Sequence, residues 1–149
     1  KEMLLERGNS VFDRAKAETP EEAQEIMRNA LLSDVFLMST NSMTEDGELF
    51  NIDGRGNRLA ALIYGPKEVF IVLGTNKIVK NLDEAYKRVR HTVAPMNAKR
   101  LGSKTPCAVT GHCSECKGPN SICCHMLTTR NSFIPGRIKI FIINEELGF

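Results

Sequence analysis

The chain has no tryptophan, and only two tyrosines stand beside its seven phenylalanines. It therefore lacks the aromatic platform on which unpaired bases stack. It also lacks a charge excess. Twenty basic residues face eighteen acidic ones for a net charge of +2, and both signs are dispersed, so there is no basic stripe to follow a phosphate backbone. Nucleic acid is not an expected partner. No apolar run approaches the roughly 20 residues that a membrane helix needs, and a membrane is not expected either. The opening KEMLLERGNS has no initiator methionine, apolar h-region or small-residue cleavage site, and reads as a segment of a cytoplasmic protein. Cysteine is missing from most of the chain, because all five lie between residues 107 and 124. An odd, crowded set is not the framework of a disulfide-stapled domain, so reduced thiols are expected.

What is present is globular. The 149 residues, 42% hydrophobic and 26% charged, suit one domain spanning 1–149. A helix end is expected near Met3, with a short strand around Val11 and Phe12. Thr19-Pro20-Glu21-Glu22 is a helix start, with Thr as cap, Pro at the first position and Glu at the third. Ala23, Ile26, Met27, Ala30 and Leu31 continue it as one apolar stripe. Val35–Met38 and Val69–Leu73 are short continuous apolar runs, the pattern of strands buried on both faces. Asp46-Gly47 predicts a hairpin turn into 48–53. Arg58–Tyr64 predicts a helical turn or two, stopped by Gly65-Pro66. Asn81 with Glu84 repeats the capping pattern for a helix that ends before Pro95. Residues 102–136 show neither period and are expected as a long irregular cysteine-rich loop, and Arg137–Asn144 as a last strand. Single strands between helices point to an α/β fold with a mostly parallel sheet.

Three groups of residues could carry chemistry. The first is Cys107-x5-Cys113-x2-Cys116-x6-Cys123-Cys124. A C-x-x-C pair can place two thiolates on one metal, and two more could complete a four-sulfur shell for zinc or hold an iron–sulfur cluster. Cys107, Cys113, Cys116 and Cys123 are the chosen four, with Cys124, His112 and His125 as substitutes. Redox-active or inert thiols without a metal are the alternative. The second is Asn51-Ile-Asp-Gly-Arg-Gly-Asn-Arg58, where glycines and a helix start suit an anion and Arg55 and Arg58 add charge, although plain turn chemistry explains the same residues. The third is Gly74-Thr-Asn-Lys77, directly after a strand. It is expected to share a crevice with Ser39, Thr40, Asn41 and Ser42 after the preceding one. Glu45 and Glu48 are the candidate catalytic carboxylates, with solvated hairpin glutamates as the alternative.

The runs STNSMTEDGELFNIDGRGNRLAALIYGP, VFIVLGTNKIV, APMNAKR, TPCAVTGHCSECKGPNSIC and INEELGF together resemble the lactate-utilisation (LUD) domain family, in a LutC-like single-domain form, from about Thr19 to Phe149. The resemblance implies a Rossmann-like three-layer sandwich similar to the NagB/RpiA/CoA-transferase superfamily. It also implies a role linked to oxidation of lactate to pyruvate. Thr44, Glu45, Gly47, Asp53, Gly54, Gly56, Asn57, Arg58, Gly74, Asn76 and Lys77 match the family's recurring pattern and are carried over as ligand-binding positions, for a small anionic metabolite or a CoA-like ligand. The cysteine loop would hold the metal or iron–sulfur group. Related domains begin with a further strand, helix and glycine-rich turn, so the N-terminal part of the fold is expected to be absent here, with a partner subunit or a homodimer covering the sheet edge. Two other readings stand beside this one. The first is an acyl- or phosphosugar-type enzyme of the same superfamily, and the second a non-catalytic assembly subunit for iron–sulfur protein partners.

Overall fold

The computed structural model describes residues 2–149. Helix α1 (Glu2–Glu6) and a 3-10 turn at Arg14–Lys16 precede α2 (Pro20–Asn29). No strand forms at Val11 and Phe12, because Asp13 instead caps the 3-10 turn by accepting the Ala15 N–H at 3.0 Å. Thr19 caps α2 as its sequence predicts, its Oγ1 accepting the Glu22 N–H at 3.1 Å. The Glu22 carboxylate reaches one residue further back than expected, to the Glu18 N–H at 2.8 Å.

The chain then runs through β1 (Val35–Met38), β2 (Ser42–Thr44), β3 (Leu49–Asp53), α3 (Asn57–Ile63), β4 (Glu68–Gly74), a 3-10 turn at Thr75–Lys77 and β5 (Ile78–Val79). It continues with α4 (Leu82–Arg88), α5 (Ala94–Arg100), α6 (Pro106–Thr110), β6 (His125–Thr129) and β7 (Ile138–Ile143). The result is α/β, but not with one mostly parallel sheet. Strands β1, β4 and β7 form a parallel sheet in the order β1-β4-β7, while a second, mixed sheet has the order β5-β2-β3-β6. Within it β3 runs antiparallel to both neighbours.

Three expectations change. Polar strand residues such as Ser42, Thr44 and Thr128 read as loop in sequence, yet the backbone of β3 needs partners on both sides. Residues 102–136 therefore contain β6, paired with β3 from Thr129 opposite Leu49 to His125 opposite Asp53. They also contain α6, which opens on Pro106 and closes on Gly111 in the left-handed region. The α4 helix does not stop before Pro95 either. It widens into a π-helical turn at Val89–Val93 and continues as α5, with Pro95 in its first turn, where a missing N–H costs little.

Two apolar clusters hold the layers together. Met38, Val69, Ile71 and Leu73 of the parallel sheet pack with Met43 and Leu49 of the mixed sheet and with Leu62 of α3. Phe50 and Ile52, on the other face of β3, pack with Ala85, Val89 and Val93 along α4 and its extension. Strand β3 is thus buried on both sides, which is why its sequence does not alternate cleanly. Burial on both faces fails for the parallel sheet. Val35, Leu37, Val72 and Phe141, the alternate set of side chains on β1, β4 and β7, remain exposed.

Candidate functional site

Because β1 and β4 are parallel neighbours, their carboxyl ends open on the same side. Lys77, closing the turn after β4, donates from Nζ to the Ser39 Oγ just beyond β1, at 3.0 Å. The turn between β3 and α3 supplies the opposite wall. Gly56, at φ 81°, caps α3 there. A cavity of about 630 Å³ results, lined on its charged side by Arg14, Arg55, Arg58, Lys77 and Arg100 against one acidic side chain, Asp53. Asn41, Asn57, Asn97 and the Gly54 backbone add polar surface, while Ile52, Val93, Leu101, Ile122 and Phe149 supply apolar surface.

The walls are tied together by hydrogen bonds. Asn41 is tied to β3 twice: its N–H donates to Asn51 Oδ1 at 3.0 Å, and its Oδ1 accepts the Ile52 N–H at 2.9 Å. Arg88 donates to the carbonyls of Asn41 and Asn76, both at 3.1 Å, so one guanidinium clamps the two strand exits. Arg58 donates to the Ile52 carbonyl at 3.0 Å and pairs with Asp53 at 3.3 Å. The oxygen in that pair, Asp53 Oδ2, is buried and meets Arg58 as an ion pair without a hydrogen bond among the described residues. Burial, reinforced by Arg88 and Arg58, pushes the Lys77 ammonium below its ordinary range. The tail 145–149 closes the far side. Asn76 donates to the Gly148 carbonyl at 3.1 Å and accepts the Leu147 N–H at 3.1 Å.

The residues expected as ligand-binding divide by place. Asp53, Gly54, Asn57, Arg58 and Lys77 line the cavity, with Gly56, Gly74 and Asn76 shaping its edges. Thr44, Glu45 and Gly47 sit in the β2–β3 turn instead, where Thr44 accepts the Glu48 N–H at 3.0 Å. Glu45 is exposed and Glu48 pairs with Arg130 at 3.0 Å, and neither carboxylate lines the cavity. Arg14, Asn97 and Arg100 are cavity residues that sequence reasoning missed. They come from remote helices, and no local motif marks them.

The cysteines gather beside the same end of β3, where His125 of β6 pairs with Asp53. All five are free thiols, Cys107 buried and Cys124 exposed. Cys107 sits within hydrogen-bond reach of Thr105 Oγ1, at 3.3 Å. Cys113 Sγ accepts the Glu115 N–H at 3.4 Å, in a turn that puts Glu115 at φ 52°. Cys123 packs against the second apolar cluster. Burial pushes its thiol up to about 11, opposed by Arg90 and assisted by the nearby Cys107, Cys113 and Cys116. Arg90 is itself buried and reaches Glu115 at 3.4 Å. The four chosen thiols are thus neighbours. Even so, among the described residues no three His, Cys, Asp or Glu side chains group closely enough to hold a metal ion. His125 turns away to lie under Gly56, where a Cβ would meet its ring at 3.3 Å. Ile122 joins the two sites, lining the cavity while its carbonyl rests against Gly54 and its neighbour Cys123 faces the thiols.

No curated protein and no solved structure matches the chain significantly. The family model of the LUD domain matches residues 1–143, and the chain belongs to the LUD domain family.

Proposed function

We propose that this domain binds a small anionic metabolite, or the anionic part of a CoA-like ligand, in the cleft at the strand exits, in the service of lactate utilisation. Membership of the LUD family links the chain to lactate utilisation, and the Rossmann-like arrangement of the NagB/RpiA/CoA-transferase superfamily is the fold reading consistent with its α/β layers. The observation that carries the ligand class is the imbalance of side-chain charge, five basic side chains against one acidic side chain in a single cavity. In a partly desolvated cleft such an excess attracts anions far more strongly than the same charges do in water. Calorimetric titration with lactate, pyruvate and CoA tests it. Binding by at least one, weakened about tenfold in R55A/R100A, is the expected result. Equal affinity in wild type and variant contradicts it.

The thiol group belongs to the same proposal. Cys107, Cys113, Cys116 and Cys123 are the donor set for zinc or an iron–sulfur group. Four sulfurs suit either metal chemistry, and the buried Arg90 offsets part of the thiolate charge. Side-chain rotation would have to bring the sulfurs inward. Such a group would staple the loop, and iron would add electron transfer. Anaerobically purified protein should carry about one metal site per chain that C113S/C116S removes, while metal-free folded protein contradicts the assignment.

A further inference from the structure

We infer that Lys77 is a carbonyl-capturing residue, whose amine condenses with the keto group of a small 2-oxo acid while the arginines of the cleft hold the acid's carboxylate. The inference rests on the anion-binding reading of the cleft and adds the substrate's chemical class.

Lysines in proteins are ordinarily hydrated at the surface or paired with a carboxylate, and both situations keep the amine charged. Lys77 is in neither situation. Its side chain lines the cavity and the residue is only 7% exposed. Its polar partner is the Ser39 hydroxyl at 3.0 Å, and among the described residues it forms no ion pair with a carboxylate. Arg88 and Arg58 add positive charge beside it. Burial with Arg88 and Arg58 nearby lowers its hold on the proton, so the free amine, the form that attacks a carbonyl, is easier to reach than in an exposed lysine.

The step balances without an oxidant or reductant. The nitrogen lone pair forms a C–N bond to the keto carbon. The former carbonyl oxygen is protonated and leaves as water, the amine surrenders its two hydrogens to that water, and a C=N bond remains. Ser39 Oγ, within hydrogen-bond distance of Nζ, can carry a proton between the amine and the departing oxygen. A 2-oxo acid matches the cleft because its carboxylate adjoins the reactive carbonyl, which places both within one small ligand. An anion without a carbonyl could occupy the arginines but would leave Lys77 unused.

The experiment is reductive trapping of the full chain with pyruvate and cyanoborohydride, read by intact mass and peptide mapping, in parallel with calorimetric binding of pyruvate and of lactate. The expected result is one reduced adduct, with Lys77 carrying about ten times the label of any other lysine. S39A should slow labelling severalfold, and K77R should lose the adduct. Label spread evenly over surface lysines overturns the inference, as does labelling of K77R equal to wild type. Pyruvate binding with no adduct overturns the imine and leaves the anion reading standing. Absence of binding by both acids overturns the inference, and the anion reading falls with it if CoA also fails to bind. Should K77R fail to fold, peptide mapping of the wild type decides alone.

Discussion

Cys123 and Cys124 are adjacent in the chain and opposite in environment, Cys123 packed against the apolar cluster of β3 and α4 and Cys124 exposed. Limited alkylation should therefore label Cys124 first and leave Cys107 and Cys123 until the protein unfolds, a sequence that mass spectrometry of digests reads directly. The raised Cys123 thiol also has a consequence for stability. It ionises at an ordinary value of 9.0 in the open chain and at about 11 in the fold, so the fold retains a proton that the unfolded chain has lost between those limits. Stability is fully present below 9.0 and falls as pH climbs toward 11. Thermal unfolding across this window should show the loss in metal-free protein, and C123S should flatten it. A wild-type profile as flat as the variant's would contradict the assigned burial. None of this was legible in sequence, where the paired cysteines are interchangeable and only packing against Phe50 and Val89 tells them apart.

Among the secondary-structure elements, α3 owes its C-terminal anchoring to a residue distant in the chain. Arg137, buried just before β7, donates to the carbonyls of Ala61 at 2.8 Å, Leu62 at 2.7 Å and Pro66 at 3.1 Å. A guanidinium at a helix C-terminus satisfies orphan carbonyls and opposes the negative end of the dipole. Arg137→Met leaves those acceptors buried and unpaired, and should lower stability by about 3 kcal/mol in urea titration. Gly74 governs the other end of β4. A Cβ there would run into the backbone of Glu145 and Leu147, so G74A should lift the tail off Asn76 and raise hydrogen exchange at the Leu147 amide about tenfold, some 1.4 kcal/mol of local protection. Helix starts at Thr19 and Asn81 and the apolar runs of β1, β4 and β7 were readable because caps and β-branched stretches act locally. Strands β2 and β6 and the continuation past Pro95 were not, since pairing to β3 and a π-helical turn overrode local composition.

Across the molecule, β1 and β4 bury one face of the parallel sheet against the mixed sheet, while Val35, Leu37, Val72 and Phe141 stay exposed on the other. Parallel sheets ordinarily cover both faces, so this one should bind a hydrophobic dye. Replacing Val72 and Phe141 by lysine should reduce the dye's fluorescence severalfold without lowering the melting temperature by more than a few degrees. Among the described residues no helix is long and apolar enough to cross a membrane. The α/β class followed from alternating patterns, and Gly54–Arg58 and Lys77 stood out from glycine and strand-exit chemistry. Their meeting with Arg14 and Arg100 in one cavity depends on tertiary contacts that no window of sequence contains. That meeting is what the functional reading rests on, and amide chemical shifts during titration with lactate and pyruvate test it most directly. Saturable shifts should centre on Arg55, Asn57 and Lys77 and vanish in R55A/R100A. Shifts that never saturate, or that persist unchanged in the variant, would contradict an anion site in this cleft.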